Sequence, residues 1–225
     1  KPPRVQLSGT YELGKPFSWS DMPLDAIGNV RADRLTSRGV IFESLGFDFG
    51  VAEGHLYLRN GRVEHKSGIL AWDILRDTTG VRFSSTVQLD PSIFAPFVAL
   101  EGTRNFLSRW TFDENSVVFV QFEGSGPELK PTTWSCNGVV DIRNCKLNDH
   151  PISQLQCDLD FEGKIHNYRN IVISRPEGAI AGKHVQFNHE KHTCELFGVE
   201  GHVFPQHAVG WFAPRAAKKL VVYDF

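Results

Sequence analysis

Two aspartates, Asp48 and Asp158, stand in similar company along the chain, each flanked by apolar residues, as is Asp160. A pair of carboxylates is what acid–base hydrolysis requires, so a secreted or periplasmic hydrolase, an aspartate-based protease or a glycosidase, is the enzymatic reading, with Asp48 and Asp158 as its catalytic pair. The wider pattern argues against it. The loop Asp77-Thr78-Thr79-Gly80 carries one residue too many for the Asp-Thr/Ser-Gly loop of aspartic proteases and has no second copy. A residue that recurs with a repeat is more simply a hydrogen-bond acceptor at a strand face or turn. Gly124-Ser125-Gly126 lacks the Gly-x-Ser-x-Gly elbow of a serine nucleophile, and neither a phosphate loop nor a dinucleotide fingerprint occurs. A non-catalytic chain without a cofactor is therefore expected.

His184, His189 and His192, with Cys194 beyond them, crowd enough borderline ligands together to raise a metal site. Their spacing fits no standard pattern. His184 belongs in a strand and the other two in the turn after it, so solvated turn histidines are the simpler reading and no metal is expected. The four cysteines, Cys136, Cys145, Cys157 and Cys194, show no Cys-x-x-Cys spacing. Cys145 and Cys157 lie symmetrically about Pro151, so a hairpin turning at Asn148-Asp149-His150-Pro151 would bring them face to face; small buried free thiols are the favoured reading and a disulfide between them the alternative. The tryptophans, Trp19, Trp72, Trp110, Trp134 and Trp211, are spread along the chain, as core anchors or groove edges would be, rather than gathered into a sugar-stacking platform.

The elements that must position these residues follow from bulk and pattern. With 225 residues, 41% of them hydrophobic and 12% aromatic, the chain has material for a sizeable core. Twenty-four basic and 26 acidic side chains leave a charge of -2 with no basic cluster, which disfavours nucleic acid as a partner. The longest apolar runs, 68–72 and 116–122, are far short of the roughly 20 residues a membrane-spanning helix needs. The opening Lys1-Pro2-Pro3-Arg4 has no signal-peptide character, so a targeting segment is expected to be absent or removed.

The chain repeats itself. Gly28-Asn29-Val30-Arg31-Ala32 matches Gly138-Val139-Val140-Asp141-Ile142, and the same offset of 110 links Leu45 to Leu155, Asp48 to Asp158, Arg59-Asn60 to Arg169-Asn170, Val63 to Ile173 and Gly68 to Gly178. Beyond these the offset drifts to about 113 or 114, as small insertions at turns would cause. Within each copy apolar and polar residues alternate with period two: Leu155, Cys157, Leu159 and Phe161 on one face, Gln156, Asp158 and Asp160 on the other. Arg59-Asn60-Gly61, Glu53-Gly54 and Arg175-Pro176-Glu177-Gly178 read as hairpin turns. Stretches 91–109 and 205–219 break the alternation and read as short helices limited by Pro96 and Pro214.

The fold expected is mainly β: two tandem curved antiparallel meanders with short helices, over 1–114 and 115–225, forming an elongated groove-like or sandwich-like sheet. The closing segment 221–225 reads as a strand leading into another unit, so the chain is expected to be part of a larger protein. Edge strands at 5–13 and 220–225 would favour self-association.

The strings from Gly28 through Gly68, with Leu35-Thr36-Ser37-Arg38-Gly39-Val40-Ile41-Phe42 and Gly54-His55-Leu56-Tyr57-Leu58-Arg59-Asn60-Gly61 within them, resemble the C-terminal repeats of AsmA-like proteins, as do those from Gly138 through Gly178. The resemblance implies a β-groove scaffold in the periplasm or cell envelope of a Gram-negative-type bacterium, implicated in phospholipid transport or outer-membrane homeostasis. Phospholipid or envelope proteins would be its partners, and any membrane tether would lie outside this segment. Leu56, Leu58, Ile69, Leu155, Leu159, Ile171 and Ile173 are the residues expected to face lipid. A structural module that binds another protein is the remaining reading.

Overall fold

The computed structural model describes residues 4–11, 24–52, 55–99, 101–128 and 133–202. They form one open antiparallel sheet whose twelve strands follow chain order. The strands are β1 (Arg4–Tyr11), β2 (Leu24–Ser37), β3 (Val40–Ala52), β4 (His55–His65), β5 (Gly68–Asp77) and β6 (Gly80–Gln88), then β7 (Trp110–Gly126), β8 (Ser135–Leu147), β9 (His150–Glu162), β10 (Ile165–Arg175), β11 (Gly178–Asn188) and β12 (Thr193–His202). A 3-10 helix (Pro91–Phe97) and α1 (Glu101–Leu107) lie between β6 and β7. The 3-10 helix starts where expected, with the Asp90 side chain accepting from the Ser92 N–H at 2.8 Å. The second expected helix and the closing strand fall outside the described residues.

The repeat is written into the backbone. Strands β2 to β5 recur as β8 to β11 at the offset of 110, and so do the left-handed residues among them: Arg34 and Asn144 (φ 54 and 54), Arg38 and Asn148 (48 and 50), Gly39 and Asp149 (82 and 66), Asn60 and Asn170 (53 and 51). Two consecutive positive φ values at 38–39 and 148–149 match the strand twist in a two-residue hairpin turn. The drift has a local cause. β5 and β6 join through Thr78 and Thr79 alone, whereas four residues separate Asn188 from Thr193, so β12 repeats β6 at an offset of 114 and Phe197 takes the place of Phe83.

By its contacts the chain divides into unit 1, residues 1–89, 121–138 and 161–164, and unit 2, residues 90–120, 139–160 and 165–225. The boundary expected at 114/115 falls inside β7, after its fifth residue. Burial is shallow in both units. Val81 and Leu89 are the largest side chains below 2% exposure, neither helix buries a residue, and β12 is exposed along its whole length.

Arg59-Asn60-Gly61 is not a hairpin turn. It lies inside β4, because Asn in the left-handed region seats a bulge within a strand as readily as it makes a turn, and the register of β4 shifts there against both neighbours.

Candidate functional site

The candidate site is one face of the sheet, and the bulge at Asn60 explains how the sequence keeps it apolar. Along β4, Leu58 lies opposite Phe49 of β3 and Ile74 of β5; past the bulge Val63 lies opposite Leu45 and Leu70. Directly opposed residues share a face. Leu56, Leu58 and Val63 therefore point the same way although the count from 58 to 63 is odd, because the extra residue resets the alternation. Carried through the registers of β2, β3, β5 and β6, this face holds Val30, Phe47, Phe49, Trp72, Ile74 and Phe83. The reverse face holds Asn29, Arg31, Asp48, Arg62, Glu64, Asp73 and Arg82, with Ile27, Tyr57, Ile69 and Leu75 among them. Residues of the first set are half-buried, and among the described residues the substantial contacts within each unit run between adjacent strands and between the two helices. An apolar sheet face in a soluble domain ordinarily lies under a second layer.

Six of the seven residues expected to face lipid take positions on this face or its repeat. Leu56 and Leu58 lie on it, Leu155 and Leu159 repeat Leu45 and Phe49, and Ile171 and Ile173 repeat Gly61 and Val63. Ile69 does not. It pairs with Glu64 and Gln88 on the polar face, because Leu70 beside it takes the apolar position opposite Val63. The sequence reading missed Phe47, Phe49, Ile74 and Phe83, whose alternation was visible but whose common side is fixed only by register.

The repeated aspartates are bound into the polar face, each within its own unit. Asp48 accepts from Asn60 Nδ2 at 2.8 Å and Arg31 at 2.7 Å. These two donors hold its carboxyl below the usual range, Asn60 first. Asp158 accepts from Asn170 Nδ2 at 2.6 Å. Asp160 pairs instead with Arg169 at 2.9 Å. Asp48 thus braces the left-handed asparagine that forms the β4 bulge, and Asp158 braces the repeat of that asparagine; the Asp48 carboxylate, kept ionised by its donors, is poorly suited to serve as a general acid.

The histidines do not gather around one point. His184 Nε2 contacts Asn167 Oδ1 at 2.9 Å and its ring stacks on Phe197, while His189 meets His166, outside the expected set, at 3.1 Å. His192 sits exposed in the β11–β12 turn at φ 53. Among the described residues no three His, Cys, Asp or Glu side chains are placed to hold a metal.

Cys145 and Cys157 are free and buried, and the alternative of a disulfide between them is not realised. The turn between β8 and β9 comprises Asn148 and Asp149 alone, two residues earlier than a centre at Pro151. Ile152 therefore stands as far into β9 as Cys145 stands from the end of β8, and Cys157 lies five residues further on, about 17 Å along the strand.

Set against known proteins, the chain matches no family model, no curated protein and no solved structure.

Proposed function

We propose that this segment is a non-catalytic β scaffold of the bacterial cell envelope, of the AsmA-like kind, and that its apolar face holds the acyl chains of phospholipid. One observation carries the reading: the half-buried face bearing Val30, Phe47, Phe49, Leu58, Ile74 and Phe83, with polar and charged residues on its reverse. Hydrocarbon laid on that face leaves water at a gain of about 0.8 kcal/mol for each methylene fully covered. Neighbouring strands present a common apolar side, so the surface suits a long flexible chain better than a compact polar substrate. The braced state of Asp48 and Asp158 supports a structural role for these residues over hydrolysis.

The test is native mass spectrometry with organic extraction of the chain purified from a bacterial host, run beside Leu58→Gln and Ile69→Gln. Phospholipid is expected in near-stoichiometric amount on the unmodified chain, reduced several-fold by Leu58→Gln on the apolar face and unchanged by Ile69→Gln on the polar face. Lipid-free protein, or equal loss from both variants, overturns the reading and leaves the protein-binding module to be pursued.

A further inference from the structure

Strands β1 and β12 end the sheet, each with one neighbour among the described residues, and the repeat specifies what fits them. Gly28 lies opposite Leu7 with the Gln6 carbonyl against its α-carbon, and Gly138 lies in the same way against the Gln121 carbonyl and Phe122. Gly9 and Gly124 likewise face the carbonyls of Asp25 and Ser135, one repeat apart. β1 is therefore a copy of the second half of β7: Val5-Gln6-Leu7-Ser8-Gly9-Thr10 recurs as Val120-Gln121-Phe122-Glu123-Gly124-Ser125. That half of β7 is the part that meets β6, where Gly80 packs on the backbone of Gly126 and Pro127. β12 in turn repeats β6.

From this we infer that the edge of β12 that has no partner strand among the described residues receives β1 of a second copy, continuing the sheet head to tail. The pairing repeats the one between β6 and β7: Gly80 meets the Gly126 carbonyl as Gly28 meets that of Gln6, which sets Gly80 opposite Pro127 and hence Ser85 opposite Phe122, and this register carries over as Val199 opposite Leu7 and Glu200 opposite Gln6.

Side-chain direction agrees independently. Leu7 shares the apolar face through its pairing with Gly28, and Val199 lies with Ile171 around Gly182, on the repeat of that face. Both are exposed, Leu7 at 67% and Val199 at 44%. Joining them buries two exposed apolar side chains against each other and pairs two rows of backbone groups that have no strand partner among the described residues. The contact is heterologous, so it does not close on itself and grows by successive addition. It requires no lipid, and lipid binding does not require it.

The test is sedimentation velocity over a concentration series on lipid-free chain, alone and with Leu7→Glu or Val199→Glu, both at exposed positions. The unmodified chain is expected to pass from monomer through dimer to larger species. Each variant alone should remain monomeric, and an equimolar mixture of the two should stop at a 1:1 complex, since one native β12–β1 contact survives between them. A monomer at every concentration overturns the inference. So does a Leu7→Glu chain that still dimerises, which would mean β12 pairing with β12. Should a variant lose its β-sheet circular dichroism, hydrogen exchange on the unmodified chain decides. Amides of Arg4–Tyr11 and Thr193–His202 are expected to slow together as concentration rises, and slowing in one strand without the other overturns the inference.

Discussion

The Asn60 side chain donates to Asp48 at 2.8 Å while its backbone N–H donates to Asp73 at 2.9 Å, so a residue with positive φ in the middle of β4 is held from both neighbouring strands. Its role is conformational. Asn60→Ala is expected to destabilise the fold by about 1 to 2 kcal/mol through the left-handed backbone that alanine disfavours, and Asn60→Gly, which keeps that conformation, by less. Urea midpoints compared at equal m-values check this. Equal costs for the two substitutions would show that the bulge conformation is not what Asn60 supplies.

The same bulge sets up a size exchange between the copies. In the first, Gly61 lies opposite Trp72 and an added Cβ would sit 2.2 Å from the indole; in the second, the equivalent positions are Ile171 opposite Gly182. Large faces small in both, with the sides reversed. Gly61→Ile is expected to cost about 1 to 3 kcal/mol by overpacking, and adding Trp72→Gly should recover part of it although Trp72→Gly alone also destabilises. A double-mutant cycle by chemical denaturation reads the coupling. Simple additivity would mean that the two positions do not share one packing space.

Much of this was legible in the chain. Period-two alternation located the strands, and the offset of 110 located the repeat, because strand faces and bulges impose a residue-by-residue pattern. Arg59-Asn60-Gly61 was misread, since a left-handed Asn followed by Gly serves a turn and a bulge equally well and the choice rests on pairing on both sides of β4. Ile69 was misplaced for a related reason: within Gly68-Ile69-Leu70-Ala71-Trp72 apolar residues fall on both faces, and register alone selects Leu70. The kinship of β1 with β7 does not show at the offset of 110, because its own offset is 115, the connections before β2 and β8 differing in length.

Asp77 closes the β5–β6 turn, accepting from the Thr79 hydroxyl, the Thr79 and Gly80 N–H groups, and Arg82 at 2.8 Å. The Thr79 donors, hydroxyl first, lower its carboxyl to about 2. A carboxyl depressed in the folded state stabilises above its unfolded value of roughly 3.9 and loses that contribution as pH falls toward 2. The melting temperature is therefore expected to drop between about pH 4 and pH 2, and Asp77→Asn to flatten part of that slope while leaving the other lowered carboxyls, Asp48, Glu64 and Asp141, to account for the rest. Superimposable slopes for the two proteins would place the pH dependence elsewhere.

Thiol chemistry separates the buried cysteines from the exposed one. Burial raises Cys145 and Cys157 to about 11, with the charges of Asp113 and Asp158 adding to the effect, whereas Cys194 lies exposed on β12. The thiolate is the reactive form, and a thiol of that pKa is only about one part in a thousand ionised at pH 8. Iodoacetamide at pH 8 is expected to label Cys194 first, then half-buried Cys136, and to reach Cys145 and Cys157 only after unfolding. Peptide mapping should recover all four as free thiols before labelling. A Cys145–Cys157 cross-linked peptide from non-reduced protein would mean that β8 and β9 pair in another register, and rapid native labelling of Cys157 would mean that its side of β9 is open to solvent.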